Sequence, residues 1–570
     1  MSDLVTALTR IRQTKDPLPV PPGIEDYWSK DPSVQLRPYQ VQMVWNLILC
    51  PSFLCGDSVG LGKTAMGSAA MAAIKASKPG VKFLVYTTSS AQRQWVEEIR
   101  KFTTLNARML AEKGSKPKDI RRADFWNFIQ GLDDTDILVM RYSTILADGD
   151  FQTNCLSCVA TQVCVIYDEA TAFKSSDTQT NKIVKGLSSR CQWRYGLSAT
   201  PIENHLTEIF NIFSGLGLDV LGDERWFRHQ YCVEETQGYR TQWFGKKMKK
   251  IPITVTVGYK NLNELNSLLI PYFWARSQSE VGEQLPYLNT ETVDIAMSSE
   301  QIQKTEDIWN GLYSVDHLDA EEDEIKSVTS KMTVLLLHQM VSINPAILSG
   351  RPEDYLNAKT SPKEDTLVEL LNTTLSGSKT IVYTRFRREL ERLKILLPKE
   401  TGRNVLFVHG SMDKDLRYEM MRKFQEDPAE NLICINQAAF QAVNLQQAAN
   451  LICLDLPWSW GGLLQLVGRM VRLRSPHAIC NLYILRTEGS IDDHVIGLLK
   501  NKKGIFERIL SKSASLGMFE ETDHEPFMEG DKGFFSKLYD TLTLQRRRYK
   551  PSAPSTIGLL TFGGKNERLN

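Results

Sequence analysis

No stretch of this chain is apolar for long enough to cross a bilayer, and the opening residues Met1-Ser2-Asp3-Leu4-Val5 lack the charged-then-apolar pattern of a secretory signal. A membrane role is excluded on this reading, and a cytoplasmic, intracellular protein is expected. Net charge is the second lack: 68 Lys and Arg against 67 Asp and Glu leave +1. That balance neither demands nor forbids a polyanionic partner, so evidence for one has to be local. A disulfide framework is also missing. The ten cysteines are scattered, several of them (Cys164, Cys434, Cys453) inside apolar runs, which suits a reducing compartment. Cys155 and Cys158 make one Cys-x-x-Cys pair with Cys164 nearby, but no second pair or closely spaced histidine follows, and no zinc site is expected. Length is what the chain has: 570 residues are too many for one core, so two main domains are expected.

Short Val/Ile/Leu-rich runs alternate with helical stretches, the pattern of a parallel sheet covered on both faces, and the pattern occurs twice. The first series is Phe53–Cys55, Phe83–Tyr86, Ile137–Met140, Val163–Tyr167 and Arg194–Leu197; the second is Thr380–Tyr383, Asn404–Val408, Leu432–Ile435, Leu451–Leu454 and Asn481–Leu485. An α/β fold with two such sheets in tandem follows. Residues 205–350 break the strand rhythm and read as a helical insertion, with a basic hairpin near 239–257 that includes Trp243-Phe244-Gly245-Lys246-Lys247-Met248-Lys249-Lys250. The acidic run Asp319 to Glu324 reads as a solvated loop. The expected organisation is therefore an N-terminal arm over 1–33, a first lobe over 34–204, the insertion, a second lobe over 351–500, and a brace with a flexible tail over 501–570. The basic segment Gln545 to Lys550 in that tail either contacts phosphates or stays mobile.

The first chemical signal follows the first apolar run: Gly56-Asp57-Ser58-Val59-Gly60-Leu61-Gly62-Lys63-Thr64. Glycines let backbone N–H groups curl toward the β- and γ-phosphates of a nucleoside triphosphate, Lys63 adds a point charge, and the Thr64 hydroxyl can complete a Mg²⁺ shell. Asp57 stands where the strict formula has its first glycine. Such a loop needs an acidic partner, and the Val163–Tyr167 run ends in Asp168-Glu169-Ala170-Thr171. Asp168 can hold Mg²⁺ while Glu169 polarises the attacking water. After the next run, the hydroxyls of Ser198 and Thr200 can bond to the acidic motif and report nucleotide state. Far downstream, Gln465-Leu466-Val467-Gly468-Arg469-Met470-Val471-Arg472 sets two arginines three apart, on one face if this is a helix, suited to a charged phosphoryl transition state.

In this order the motifs resemble the Swi/Snf-type DNA translocases of helicase superfamily two, and the resemblance covers most of the chain. Leu36-Arg37-Pro38-Tyr39-Gln40 is similar to the family's adenine-reading motif, with Gln40 offering a donor and an acceptor to the adenine edge. Asp57 to Thr64 resembles its Asp-Glu-x-Gly-Leu-Gly-Lys-Thr, with Ser58 in place of Glu. Gln94 to Glu98, Leu197 to Asn204, His409-Gly410-Ser411 with Asp413 to Phe424, Asn444-Leu445-Gln446, Asp455 to Trp458 and Gln465 to Arg472 follow the family's order. Gly258 to Leu265, Phe273 to Arg276 and Leu285-Pro286 are similar to the insertions of the small single-chain remodelling and fork-annealing motors.

The resemblance implies two RecA-like lobes, ATP and Mg²⁺ as cofactors, and DNA, most of all the double helix, as partner. It implies hydrolysis by Lys63, Asp168, Glu169, Arg469 and Arg472, nucleotide contacts from Gln40, Asp57, Gly60, Leu61, Gly62, Lys63, Thr64 and Gln465, and metal contacts from Thr64 and Asp168. Coupling falls to Thr171, Ser198 and Thr200. Nucleic-acid candidates are Ser143, Asn204, Trp243, Lys247, Arg385, Asn444 and Trp458, although an exposed hairpin tip is an equal account of Trp243 and its lysines. Replication, recombination or transcription proteins are candidate partners. Thr171 replaces the family's usual histidine, Ala438 and Ala442 replace glycines, and Ser277-Gln278 replaces basic residues. The expected function is ATP-driven translocation on duplex DNA, for fork remodelling, strand annealing or protein displacement; a strand-separating DNA or RNA helicase and a non-hydrolysing nucleic-acid clamp stand as alternatives.

Overall fold

The computed structural model describes residues 2–14, 16–89, 91–110, 118–176, 178–202, 205–244, 247–277, 279–281, 286–310, 330–436, 445–472 and 475–499. Asn204, Gly245, Lys246, the acidic run 319–324, Ala438, Ala442, Asn444 and the tail 501–570 lie outside the described residues. The chain divides into two compact units between residues 283 and 284.

The first unit is built on a sheet of β1 (Ser52–Cys55), β2 (Lys82–Thr87), β3 (Ala107–Met109), β4 (Ile137–Arg141), β5 (Val163–Asp168), β6 (Trp193–Leu197) and β9 (Phe273–Trp274), in the order β3-β4-β2-β5-β6-β1-β9. Every neighbouring pair in it is parallel. Both faces of its central strands are buried: Leu84, Tyr86, Val165 and Tyr167 join one apolar cluster, and Phe83, Val85, Cys164 and Ile166, which alternate with them, are equally enclosed. That two-sided burial is why these strands read as continuous apolar runs. An antiparallel ribbon of β7 (Cys232–Phe244) and β8 (Lys247–Tyr259) also belongs to this unit, pairing Cys232 with Tyr259 at its base and Phe244 with Lys247 at its tip. The ribbon starts well before the predicted 239–257.

The second unit carries β10 (Tyr287–Ile295), β11 (Thr380–Tyr383), β12 (Leu406–Val408), β13 (Leu432–Ile435), β14 (Asn450–Cys453) and β15 (Ile479–Thr487), in the order β10-β15-β14-β11-β13-β12 and again parallel throughout. Two apolar clusters cover its two faces, one around Ile381, Ile433 and Leu451, the other around Val382, Cys434 and Ile452.

Residues 205–350 are not a separate inserted body. Their first part gives β9 to the first sheet, and their second part gives β10 to the second. The N-terminal arm is likewise part of the first unit: Arg12 at the end of the helix Ser2–Gln13 donates to Ile270 O (2.8 Å) and Asn46 Oδ1 (2.9 Å), and Trp45 Nε1 donates to Pro19 O (2.8 Å). No helix among the described residues is long and apolar enough to cross a membrane.

Candidate active site

Sheet register gathers the motifs of the first unit. Leu197, the last residue of β6, pairs with Cys55 on one side and with Asp168 on the other. The glycine-rich loop, the acidic pair and Ser198 therefore leave the sheet from one transverse row at its carboxyl edge, where open parallel sheets bind ligands. Ser198 N–H donates to Cys55 O (3.0 Å), and the Ser198 hydroxyl accepts the Thr200 N–H (3.2 Å), which shapes the turn after β6. Ser143 stands just past the end of β4 on the same edge, in the helix Tyr142–Ser157.

In the loop, Gly60 (φ 87°) and Gly62 (φ 80°) take left-handed backbone that residues with a Cβ rarely adopt. The helix Lys63–Ser77 starts directly after Gly62, so its first N–H groups and its positive dipole end face the loop, a ready anion site. Lys63 Nζ donates to the carbonyls of Asp57 (2.8 Å) and Ser58 (3.3 Å), which holds the ammonium inside the loop's curve. Thr64 follows in the first helical turn, half-buried.

Two residues expected to contact nucleotide are engaged elsewhere. Gln40 Nε2 donates to Leu61 O (3.1 Å) and its Oε1 accepts Arg37 N–H (3.0 Å), so here the amide braces the loop against the helix Pro38–Leu49. Asp57 is fully buried, and both of its carboxylate oxygens face Arg276, with Arg276 Nη2 at 2.5 Å from Oδ2 and Nε at 3.1 Å from Oδ1. It is an internal ion-pair member and not a phosphate contact, because a carboxylate in that position would repel phosphate and instead turns inward to its counter-charge.

Asp168 is held by two donors that sequence reasoning missed. Its Oδ2 accepts the Thr87 hydroxyl (2.7 Å) and the Trp95 indole N–H (2.7 Å), from the end of β2 and from the helix Gln92–Phe102. Tyr142 donates its hydroxyl to Asp168 O (2.9 Å), fixing the backbone as well. Glu169 sits at φ 54°, ψ 60°, a left-handed conformation a non-glycine residue adopts at a cost of about 1–3 kcal/mol. Such strain persists only where the surroundings dictate it, and here it falls on the residue directly after Asp168 at the end of β5. Thr171 lies in the 3₁₀ turn Ala170–Phe173, its carbonyl accepting Lys174 N–H (3.2 Å).

In the second unit, Tyr383 pairs with Cys453, so the residues just beyond β11 and β14 stand abreast. Arg385 N–H donates to Asp455 Oδ1 (3.0 Å), its guanidinium lies over the Trp458 ring (4.8 Å to the centroid), and Nη1 reaches Gln339 Oε1 (3.4 Å). Two nucleic-acid candidates, Arg385 and Trp458, thus form one stacked pair. Burial pushes the Asp455 carboxyl up to about 6 against the opposing pull of the Arg385 charge. Lys363, fully buried, ties the same edge down by donating to Leu454 O (2.8 Å) and Asp492 Oδ2 (2.6 Å).

The helical premise for Arg469 and Arg472 does not hold. The helix that carries Gln465, Trp460–Val467, ends at Gly468, and both arginines follow it, Arg469 in a turn and Arg472 in irregular backbone. Arg469 is 8% exposed and its carbonyl accepts Leu445 N–H (2.9 Å). Arg472 is half-buried, with Nε donating to Gly468 O (2.8 Å). Trp243 and Lys247 are placed in the ribbon by backbone pairing, Trp243 opposite Met248 and Lys247 opposite Phe244.

The donors fit the groups expected of them: an anion cradle with a lysine, beside a carboxylate oriented by two donors. Residues 40–366 match the SNF2-related domain, and residues 362–474 match the helicase conserved C-terminal domain. Among curated relatives, YwqA of Bacillus subtilis, named as an ATP-dependent helicase/translocase, is 25% identical over 489 residues, spanning 83% of this chain and 49% of YwqA. The DNA repair and recombination protein RAD54-like of Drosophila ananassae is 23% identical, over 91% of this chain and 69% of that protein. The ISWI chromatin-remodeling complex ATPase ISW2 of Saccharomyces cerevisiae is also 23% identical, over 90% of this chain and 44% of its own length. The chain thus spans about half the length of YwqA and of ISW2. The Sulfolobus solfataricus SWI2/SNF2 ATPase core in complex with double-stranded DNA aligns with a TM-score of 0.37 at 22% identity, covering 84% of this chain and 94% of that one. With the first of these domains spanning residues 40–366 of 570, the chain belongs to the SNF2-related domain family.

Proposed function

We propose that the chain is a DNA-dependent ATPase that uses hydrolysis to move along double-stranded DNA. The observation that carries this is the single row at the carboxyl edge of the first sheet, from which Gly56 to Thr64, Asp168-Glu169 and Ser198 to Thr200 all leave. Gly60 to Thr64 bind the triphosphate, and Lys63 exchanges its loop carbonyls for phosphate oxygens. Thr64 and Asp168 hold Mg²⁺, which when bound neutralises charge on the β- and γ-phosphates. Glu169 accepts the proton of the attacking water, and Arg469 and Arg472 stabilise the charge spread over the transferred phosphoryl group. Ser198, Thr200 and Thr171 pass nucleotide state onward.

Family membership and the names of the relatives, a helicase/translocase, a recombination protein and a remodelling ATPase, support an intracellular motor on DNA. Replication, recombination or transcription proteins are its proposed partners. The test is the ATPase rate measured in parallel with duplex, single-stranded and forked DNA and with RNA. Duplex DNA is expected to stimulate most; no stimulation by any nucleic acid overturns the proposal.

Trp95→Phe leaves a smaller aromatic ring and removes the indole N–H that orients Asp168. The Mg²⁺ concentration for half-maximal turnover is expected to rise about tenfold, as for other losses of a ligand's orienting partner. A Mg²⁺ titration of the DNA-stimulated rate, run at a temperature where a melting curve shows the variant folded, checks this. In the second unit, Arg385→Ala removes a cation stacked on Trp458, and duplex affinity should fall with a salt slope shallower by about one if Arg385 meets a phosphate. Affinity measured over a range of salt concentrations gives that slope directly.

A further inference from the structure

The residue that departs from the phosphate-loop formula is the one most tightly held. Asp57 occupies the place of the formula's first glycine and is fully buried, where an ionised carboxylate without a counter-charge would be strongly disfavoured. Its counter-charge comes from 219 residues downstream: Arg276 forks onto both oxygens, and the Arg276 backbone N–H adds a third bond to Oδ1 (3.1 Å).

The same guanidinium reaches the far side of the loop. Arg276 Nη1 donates to Tyr39 O (2.8 Å) and Gln42 Oε1 (3.3 Å) on the helix Pro38–Leu49. That helix in turn grips Leu61 O through the Tyr39 hydroxyl (3.1 Å) and Gln40 Nε2 (3.1 Å). One side chain therefore fixes the entry of the loop directly and its glycine-rich end through two intermediaries. The guanidinium carbon itself lies 4.1 Å from the Trp274 ring centroid and 5.5 Å from that of Tyr39.

The backbone follows the same path. Leu54, Gly56 and Ser58 donate their N–H groups in turn to the carbonyls of Tyr272 (2.8 Å), Trp274 (2.7 Å) and Arg276 (2.9 Å), so the pairing of β1 with β9 continues into the loop itself. Gly56 is required by this approach and not by phosphate: a Cβ there would come within 2.6 Å of the Phe273 ring and 2.7 Å of Ala275 Cβ. Finally, the Asp57 carbonyl accepts from Lys63 Nζ (2.8 Å), which links the anchored residue to the ammonium that meets phosphate.

We propose that Arg276 is a positioning residue for nucleotide binding and hydrolysis, setting the phosphate loop and Lys63 through Asp57. The proposal rests on the chain's being an ATPase. Arginine is specified because a lysine could not fork onto both oxygens and reach the Tyr39 carbonyl at once.

The test measures nucleotide affinity, kcat, KM for ATP and melting temperature on the full chain with duplex DNA. Arg276→Gln leaves Asp57 buried beside a neutral group and should lower the melting temperature as well as activity. The paired variant Asp57→Asn with Arg276→Gln removes both charges and should recover most of the melting temperature, yet kcat/KM should stay depressed by on the order of a hundredfold, the scale of a displaced catalytic group. Asp57→Gly, which restores the loop formula, should lose activity and not gain it. Arg276→Lys keeps a positive charge beside Asp57 and supplies a folded variant should the pair not fold, with KM raised while the chain stays folded at the assay temperature. Wild-type kcat/KM in the folded pair, or wild-type KM in Arg276→Lys, overturns the proposal. A wild-type chain that neither binds nor hydrolyses ATP overturns the ATPase proposal instead.

Discussion

Glu169→Gln should bind ATP and fail to hydrolyse it. The amide preserves size and backbone placement but cannot take a proton, and loss of a positioned general base costs about 10²- to 10⁴-fold in turnover. The left-handed backbone of Glu169, φ 54°, argues that the carboxylate is placed for a task, because nothing in a simple strand-to-turn connection calls for that conformation. Its neighbour Asp168 already has the orienting contacts expected of a metal ligand, from Thr87 and Trp95, so the proposed proton transfer is tested at Glu169. Single-turnover hydrolysis beside a direct binding titration checks the split. Turnover near wild type would place the base elsewhere.

Arg472→Ala should show the same separation of binding from rate, and more steeply. Arginines that meet a transferring phosphoryl group are worth about 10³ to 10⁵ in rate. Of the two candidates Arg472 is the less enclosed, half-buried and braced at Nε by the Gly468 carbonyl. Arg469 is more deeply enclosed and its main chain is tied to Leu445, so Arg469→Ala should also lower the melting temperature. For Arg472→Ala, ATP affinity is expected to hold while kcat falls; an equal loss of both would contradict a role confined to the transition state.

Both sheets were legible in the sequence because their inner strands are buried on two faces and read as apolar runs. The misplaced elements share a physical cause. β9 is two residues long, too short to carry a pattern, and β10 is an edge strand, Tyr-Leu-Asn-Thr-Glu-Thr-Val-Asp-Ile, whose polar positions reflect its exposure. With neither strand visible, 205–350 read as an insertion when it belongs to both units. The site was legible wherever chemistry is local in sequence, as in Gly60 to Thr64 or Asp168-Glu169. It was illegible where a partner comes from far along the chain: Arg276 for Asp57, Thr87 and Trp95 for Asp168, Gln339 for Arg385. The condition of a helix under Arg469 and Arg472 failed for another reason. Spacing of three implies a shared face only while the helix lasts, and this one stops first.

The pairing of β10 with β15 has a mechanical side. These are the first and last strands of the second sheet, they are parallel, and they are in register over nine residues from Tyr287–Ile479 to Ile295–Thr487. Tension that enters at the start of β10 and leaves past the end of β15 pulls the two strands lengthwise in opposite directions. All nine pairs then bear the load together, where a hairpin would open one bond at a time like a zipper. Load drawn through the polypeptide at these two points meets the whole strand pair at once and not its first bond alone.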